Sequence, residues 1–320
     1  MIQTINPFTN KIVQEYKPHS QEQVVTMLRT SKTTFKSWKD ESIENRTTIL
    51  KKVSKLLSIR KQEYAELITT EMGKPITQSL AEIDKCIWAC DFYVKNAAQF
   101  LADELIPTDA DESFVSYDAM GTILAIMPWN YPFWQVIRFA APNLTAGNTA
   151  ILKHASNTTG CALALEKLFL DAGYPKGCFQ TLIIDHSALE DVIGNDAVQG
   201  VTLTGSEKAG RAVAALAGKY LKKSVMELGG NNACIVWEDA NLDAHIQTMV
   251  QARMQNTGQS CIAAKRFIVV DQIYDKFMTL FKRELQKLNS GDPMDSNTVI
   301  GVMAREDLAN TLEKQVNDSV

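Results

Sequence analysis

At 320 residues the chain is long enough for two core-bearing domains, because single hydrophobic cores stop growing at about 250–300 residues. An apolar share of 45% and a charged share of 22% are those of an ordinary globular protein and exclude a disordered or fibrous chain. The net charge of -4 is carried by interspersed acids and bases, which argues against nucleic acid or an anionic membrane as a partner. The start, MIQTINPFTNK, lacks a basic segment followed by an apolar one, so no secretory signal is visible and the expected location is the cytoplasm. The best candidate for a membrane span, Ile123 to Pro142, is interrupted by Pro128, Pro132 and Arg138. Six cysteines at 86, 90, 161, 178, 234 and 261 show no CxxC spacing, and most are expected to be reduced core residues.

Taken in chain order, Gln21 to Trp38, Ser42 to Glu71 and Ser79 to Leu101 carry apolar residues at helical intervals, so the first hundred residues read as amphipathic helices covering a sheet. From Ser113 short β-prone runs begin, FVSYDAM and GTILAIMP, and strands then alternate with helices. Strand TAILK precedes a helix over Thr159 to Ala172, CFQTLII precedes a helix near Leu189, and GVTLT precedes a helix from Glu207. Repeated βαβ units predict a parallel sheet wrapped by helices. After Lys222 the pattern restarts with SVMELGGNNACIVWED, which sets an expected domain boundary near Glu227. A helix from Leu242 to about Gln255, strand RFIVVD, a helix from Ile273 to Leu288 and the beginning of another at Glu306 to Val316 follow.

Four stretches can carry chemistry. In LTGSEKAG a strand ends in Gly205-Ser206 and a helix begins, a junction whose free N–H groups and helix dipole favour a phosphate. Alone, Gly-Ser before a helix reads first as a turn and an N-cap. Lys153 in ILKHAS stands at a strand end, where nucleotide ligands of parallel sheets bind, although by itself it reads as a solvated lysine. In MPWNYPFWQVIR two prolines bracket Trp129 and Asn130, fixing the backbone so that the amide is aimed at an oxyanion or caps a turn. Arg138, inside an apolar helix, must find a carboxylate, either a buried acid or a substrate.

The fourth element pairs QNTGQSCIAAKR with MELGG. Cys261 stands among small residues that leave room for a reacting carbon, and a thiolate is the strongest neutral-pH nucleophile among side chains. Glu227, ahead of Gly229 and Gly230 at a strand end, is placed to activate water. Singly, such a cysteine reads as structural and such a glutamate as exposed.

In order and separation, PWNYP, GSEKAG, MELGGNN and NTGQSC resemble the motifs of the NAD(P)-dependent aldehyde dehydrogenase superfamily, and the similarity runs from INPFT to GDPMDSNT. The texture LKHASN and GQSCIAAKRF is most similar to its succinate-semialdehyde dehydrogenase branch. The resemblance implies an α/β fold, with a Rossmann-like parallel-sheet cofactor domain over residues 1–226 and part of an α/β catalytic domain over 227–320. It implies Cys261 as nucleophile, Glu227 as general base, and Asn130 with the Cys261 N–H as oxyanion hole. Trp129, Lys153, Ser156, Gly205 and Ser206 fall on cofactor-contacting positions. Arg138 matches the arginine that holds the distal carboxylate of succinate semialdehyde, whereas Gln255 stands where some members of that branch have a second arginine.

The same resemblance implies an aldehyde substrate, no metal, and a homo-oligomer, dimer or tetramer, with residues 108–122 as an oligomerisation strand region. Where NAD-selective members place a glutamate three residues after the lysine this chain has Ser156, so NADP is permitted alongside NAD. Family chains continue through further segments of the catalytic domain, which predicts an incomplete cleft, an open sheet edge and impaired turnover for these 320 residues alone. Two other classes are weighed. A cysteine hydrolase would pair Cys261 with His154, His186 or His245, and a cofactor-binding remnant would keep the fold without turnover.

Overall fold

The computed structural model describes residues 1–320. It opens on an antiparallel hairpin, β1 (Ile2–Asn6) and β2 (Lys11–Tyr16), in a region read as helical. Each strand is too short and polar to signal itself, and the turn is closed locally by Asn6 Oδ1 accepting the N–H groups of Phe8 and Thr9. Helix α1 (Gln21–Trp38) begins at a capping box: the Ser20 hydroxyl accepts the Gln23 N–H while Gln23 Oε1 accepts the Ser20 N–H.

The expected single helix from Ser42 to Glu71 is two, α2 (Ile43–Ile59) and α3 (Lys61–Met72), broken at Arg60 with φ -99° and ψ 17°. Arg60 turns away to meet Asp171 at 2.7 Å, a tertiary contact that periodicity does not carry. Helix α3 stops at Gly73, whose φ of 75° is left-handed, and α4 (Ile76–Phe100) follows.

A short exposed hairpin, β3 (Glu104–Leu105) with β4 (Phe114–Val115), leads into β5 (Thr122–Met127). Then come α5 (Trp134–Thr145), β6 (Thr149–His154), α6 (Thr159–Ala172), β7 (Phe179–Thr181), α7 (Leu189–Gly194), β8 (Val198–Thr204), α8 (Glu207–Lys219) and β9 (Lys223–Glu227). The strand expected over CFQTLII is only β7; Leu182, Ile183 and Ile184 beyond it are buried without being strand. These strands form one parallel sheet in the order β7-β6-β5-β8-β9.

Both faces of its central strands β5 and β6 are covered, so these read as continuous apolar runs, whereas the edge strand β9 is mostly exposed. In β5 the pleat sends Ile123, Ala125 and Met127 into the larger core, with α2 to α6, and Leu124 and Ile126 into a second core with α1, α7 and α8. The chain leaves β5 toward β6 on one side, and β8 toward β9 on the other. The crevice beyond the carboxyl ends of β5 and β8 is therefore a topological switch point, where open α/β sheets bind ligands.

Past β9 the chain leaves the sheet. Strand β10 (Asn232–Val236) pairs in parallel with β11 (Ala264–Val269), separated from it by α9 (Leu242–Met254) and followed by α10 (Tyr274–Leu285) and α11 (Glu306–Asn317). Val236, Leu242, Ile246, Phe277 and Leu280 make a separate small core there. No helix is long and apolar enough to cross a membrane.

Candidate active site

At the switch point lies a cleft of about 450 Å³, lined by Trp129 and Asn130 after β5, Lys153 and Ser156 at the end of β6, Gly205 and Ser206 after β8, and Cys261. Every residue expected to contact a cofactor is thus brought to one wall. Lys153 is not the solvated lysine its strand-end position suggested: it is 5% exposed and pairs with no carboxylate within ion-pair distance. Burial lowers its pKa, partly opposed by Asp185. Its charge, with partial burial, in turn holds His186, another lining residue, below the usual histidine range.

The Gly205-Ser206 junction serves both readings. The Ser206 hydroxyl accepts the Ala209 N–H at 3.2 Å, capping α8, and its own proton stays free to donate into the cleft. The Gly205 N–H, however, is engaged at 2.9 Å with the Glu227 carbonyl, so the donors open to a phosphate are those of the first turn of α8. A Cβ at Gly205 would meet nothing closer than Leu203 at 3.6 Å; the glycine keeps that surface low rather than relieving a clash. No Asp or Glu lines the cleft, whereas Lys153 and Arg305 do, the latter paired with Asp307 at 2.7 Å. This donor set, the start of α8 and the Ser206 hydroxyl plus a buried unpaired ammonium, fits a dinucleotide carrying phosphates.

Cys261 follows a loop of unusual backbone. Asn256 (φ 55°), Thr257 (φ 55°) and Gly258 (φ 75°) are left-handed in succession, a conformation that costs a β-branched residue about 1–3 kcal/mol. The amides of the motif hold it there. Asn256 Nδ2 donates to the carbonyls of Asn130 and Gln259, its N–H donates to Gln78 Oε1, and Gln259 Oε1 accepts the Ala304 N–H. Thr257 Oγ1 accepts the Gly301 N–H. The Lys-Arg pair after the cysteine also binds backbone. Lys265 Nζ donates to the Cys261 and Gly230 carbonyls, each at 2.7 Å, and Arg266 donates to the Asn231 carbonyl. The cysteine loop and the glycine turn after Glu227 are thereby tied together.

Asn130 Nδ2 donates one hydrogen to the Gln259 carbonyl at 3.1 Å. The amide carries a second hydrogen, and the residue lines two clefts with Cys261. The segment is anchored from β6 by His154, whose Nδ1 accepts the Ala155 N–H, so that Nε2 carries the proton and donates to the Pro132 carbonyl at 3.0 Å. Burial holds that imidazole at a pKa of about 4. His154 is therefore committed to structure and His245 is exposed on α9; of the three histidines weighed for a cysteine hydrolase only His186 lines a cleft with Cys261, at its β7 side beside Lys153. Glu227 is exposed at the end of β9 and lines neither cleft that holds Cys261 and Asn130; its neighbours Leu228 and Gly229 line the first of them.

A second cleft, about 600 Å³, opens on the other side of Cys261 between α4, α5, α9 and the cysteine loop. Arg138 and Gln255 both line it. Arg138 finds no carboxylate in the protein: its one side-chain partner is Thr204 Oγ1 at 3.4 Å. Gln255 donates to the Tyr131 hydroxyl at 3.1 Å, and burial raises the pKa of that phenol. The one acid in the lining, Glu82, is already committed. Its Oε2 pairs with Lys74, both side chains being 0% exposed, and its Oε1 accepts the N–H groups of Phe133 and Trp134 at the start of α5, each at 2.9 Å.

The sequence matches the aldehyde dehydrogenase family over residues 1–320. The chain belongs to that family. It is 47% identical over 319 residues to a probable NADP+-linked succinate-semialdehyde dehydrogenase of Synechocystis sp., covering 100% of this chain and 70% of that one. To the NADP+-linked succinate-semialdehyde dehydrogenase of Mycobacterium avium it is 43% identical over 325 residues, covering 100% and 68%. Among solved structures, the succinic semialdehyde dehydrogenase of Streptococcus pyogenes in complex with NADP+ superposes with a TM-score of 0.97 at 35% identity, covering 99% of this chain and 70% of that one.

In this aldehyde dehydrogenase Cys261 lies where the two clefts meet, Asn130 lines the first of them and Glu227 lines neither; the residues that hold the segment between the clefts were not evident from sequence. Glu82 and Lys74 sit on α4 and in the turn before it, remote in sequence from α5, and nothing in their spacing links them to Trp134. Lys74 also lies over the Tyr131 ring at 3.8 Å. The signal that was available is the pattern EMGKP: Glu71 and Lys74 flank a left-handed Gly73, and both prove buried. Glu71 caps α6 through the Gly160 and Cys161 N–H groups, and burial raises its pKa.

Proposed function

We propose that this enzyme oxidises an aldehyde bearing a distal carboxylate, succinate semialdehyde, to the dicarboxylic acid with NADP+ as electron acceptor. The observation that carries the reading is Arg138: a guanidinium in the cleft that Cys261 lines, with no protein carboxylate to neutralise it. A charge-assisted contact there favours an ω-carboxy aldehyde over a neutral one, and the names of the Synechocystis and M. avium relatives support the choice.

In the reaction the Cys261 thiolate adds to the aldehyde carbon, forming the S–C bond and placing negative charge on the former carbonyl oxygen. The free Asn130 amide hydrogen and the Cys261 N–H stabilise that oxygen. Lys153, Ser156, Gly205, Ser206 and Trp129 hold the dinucleotide. When bound, NADP+ supplies the acceptor for the hydrogen and electron pair that leave the substrate carbon. The family resemblance gives Glu227, exposed beside the cleft-lining Leu228 and Gly229, the proton from the water that cleaves the resulting cysteine thioester and frees the thiol. The absence of any carboxylate from the cofactor cleft, with Ser156 at its rim, supports NADP over NAD, since nothing there repels a 2'-phosphate.

Residues 1–226 serve in this reading as the cofactor-binding unit and 227–320 as part of the catalytic one, in the cytoplasm. Exposed Leu105, Phe114 and Tyr117 on and beside the hairpin of β3 and β4 support a homo-oligomer through that region. The deciding measurement is the ratio of kcat/KM for succinate semialdehyde to that for butanal. Arg138→Ala is expected to lower the ratio about 10- to 100-fold, the worth of a hydrogen bond to a charged group. An unchanged ratio rejects the substrate assignment.

A further inference from the structure

The cleft that holds Arg138 contains a second cation. Lys85, on α4, lines the same opening, and its ammonium lies over the Trp134 ring at 4.0 Å from the centroid. Gln78, Ala81, Glu82 and Lys85 recur at helical spacing, so one face of α4 forms this wall. Trp134 and Arg138 are four residues apart on α5 and stack on its facing side. A lysine drawn onto Trp134 therefore stands over the residue one helical turn before Arg138 on the same wall.

The charge balance of the opening is uneven. Its lining contains three charged residues, Glu82, Lys85 and Arg138. Glu82 is spent on Lys74 and on two backbone N–H groups, and neither Lys85 nor Arg138 has an ion-pair partner, although the adjacent Asp84 is paired with Lys61 at 2.6 Å. Two cations without a protein carboxylate thus line the opening that Cys261 also lines, which favours an anionic ligand there. Gln255, uncharged and bonded to Tyr131, does not add to this charge.

We propose that Lys85 is a second specificity-determining residue of the aldehyde cleft, binding the distal carboxylate of the substrate together with Arg138. The inference rests on the carboxylate reading above and deepens it: recognition is divided between an arginine on α5 and a lysine held by an aromatic ring on α4. Lys85 is exposed on α4, so its replacement leaves the core untouched.

The test compares wild type, Lys85→Met, Lys85→Arg and Arg138→Ala as full chains. One readout is the kcat/KM ratio for succinate semialdehyde over butanal. The other, independent of turnover, is the rate ratio for alkylation of Cys261 by iodoacetate over iodoacetamide, followed at the Cys261 peptide by mass spectrometry. Lys85→Met is expected to lower both ratios about fivefold, with butanal and iodoacetamide rates unchanged, and Lys85→Arg to restore them. If Arg138→Ala lowers the ratios while Lys85→Met leaves them at the wild-type value, the role of Lys85 is overturned and the carboxylate reading stands. If neither variant changes them, both fall.

Discussion

The two clefts that meet at Cys261 are built by opposite means. In the cleft proposed for the cofactor the walls are strand ends and a helix start, the polar lining includes Lys153, Ser156 and Ser206, and no carboxylate is present. On the aldehyde side the walls are helix faces, and the polar groups are long side chains with charge: Arg138, Lys85 and a neutralised Glu82. A ligand common to a whole family of reactions is held by features that any parallel sheet supplies at its switch point. Substrate choice is left to side chains, which change without altering the sheet. The joint between the clefts is the segment from Met127 to Pro132, fixed from one side by Asn256 and from the other by His154.

Three substitutions test this division, beginning with the largest effect. Asn130→Ala removes the amide at the joint and is expected to lower kcat about 10²- to 10³-fold with little change in KM for aldehyde or cofactor. A variant that retains kcat would reduce Asn130 to a strut for the Gln259 carbonyl.

The anchoring of the joint is pH-dependent through His154. Its folded pKa, about 4, lies below the unfolded value near 6.5, so between those values the unfolded chain binds more protons. The stability that the neutral imidazole supports is present above about pH 6.5 and is lost as pH falls toward 4, amounting to about 2 kcal/mol at pH 5. His154→Gln should start from a lower urea midpoint at pH 7.5 and lose this part of its pH dependence; an unaltered slope would show that other groups govern acid unfolding.

The smallest effect belongs to the rim of the cofactor cleft. Ser156→Glu places a carboxylate in a lining that has none, and the NADP-to-NAD ratio of kcat/KM is expected to fall about tenfold through like-charge repulsion. The aldehyde ratio should not move, because the change lies on the other side of Cys261. Movement of both ratios would show that the clefts are not independent.

Much of the central fold was legible because both faces of strands β5 and β6 are buried. A run such as TILAIM or TAILKH is then apolar throughout, and the helices between such runs keep a clear stripe. The hairpin of β1 and β2 was not legible, being mostly exposed and polar, and the break at Arg60, a residue that also pairs with Asp171, was hidden because no proline or glycine marks it. At the site, each motif residue taken singly had a structural reading, and it was the order and separation of PWNYP, GSEKAG, MELGGNN and NTGQSC that singled out Asn130, Glu227 and Cys261. The buried status of Lys153 and the lack of a partner for Arg138 could not be read, because each depends on which segments pack around a strand end or a helix face.

By itself the amino-acid order determined the parallel sheet and the strand-end positions of Lys153, Gly205 and Glu227. These follow from hydrophobic period and from residue types within a few positions of one another, which act locally. Only the tertiary structure decided that Glu82 is silenced by Lys74, that Lys85 shares a wall with Arg138, and that the amides of the NTGQ segment strap a left-handed loop to the Asn130 carbonyl. Charges and hydrogen-bond donors act over a few ångströms in space, whereas Asn256 and the Asn130 carbonyl it holds lie 126 positions apart along the chain.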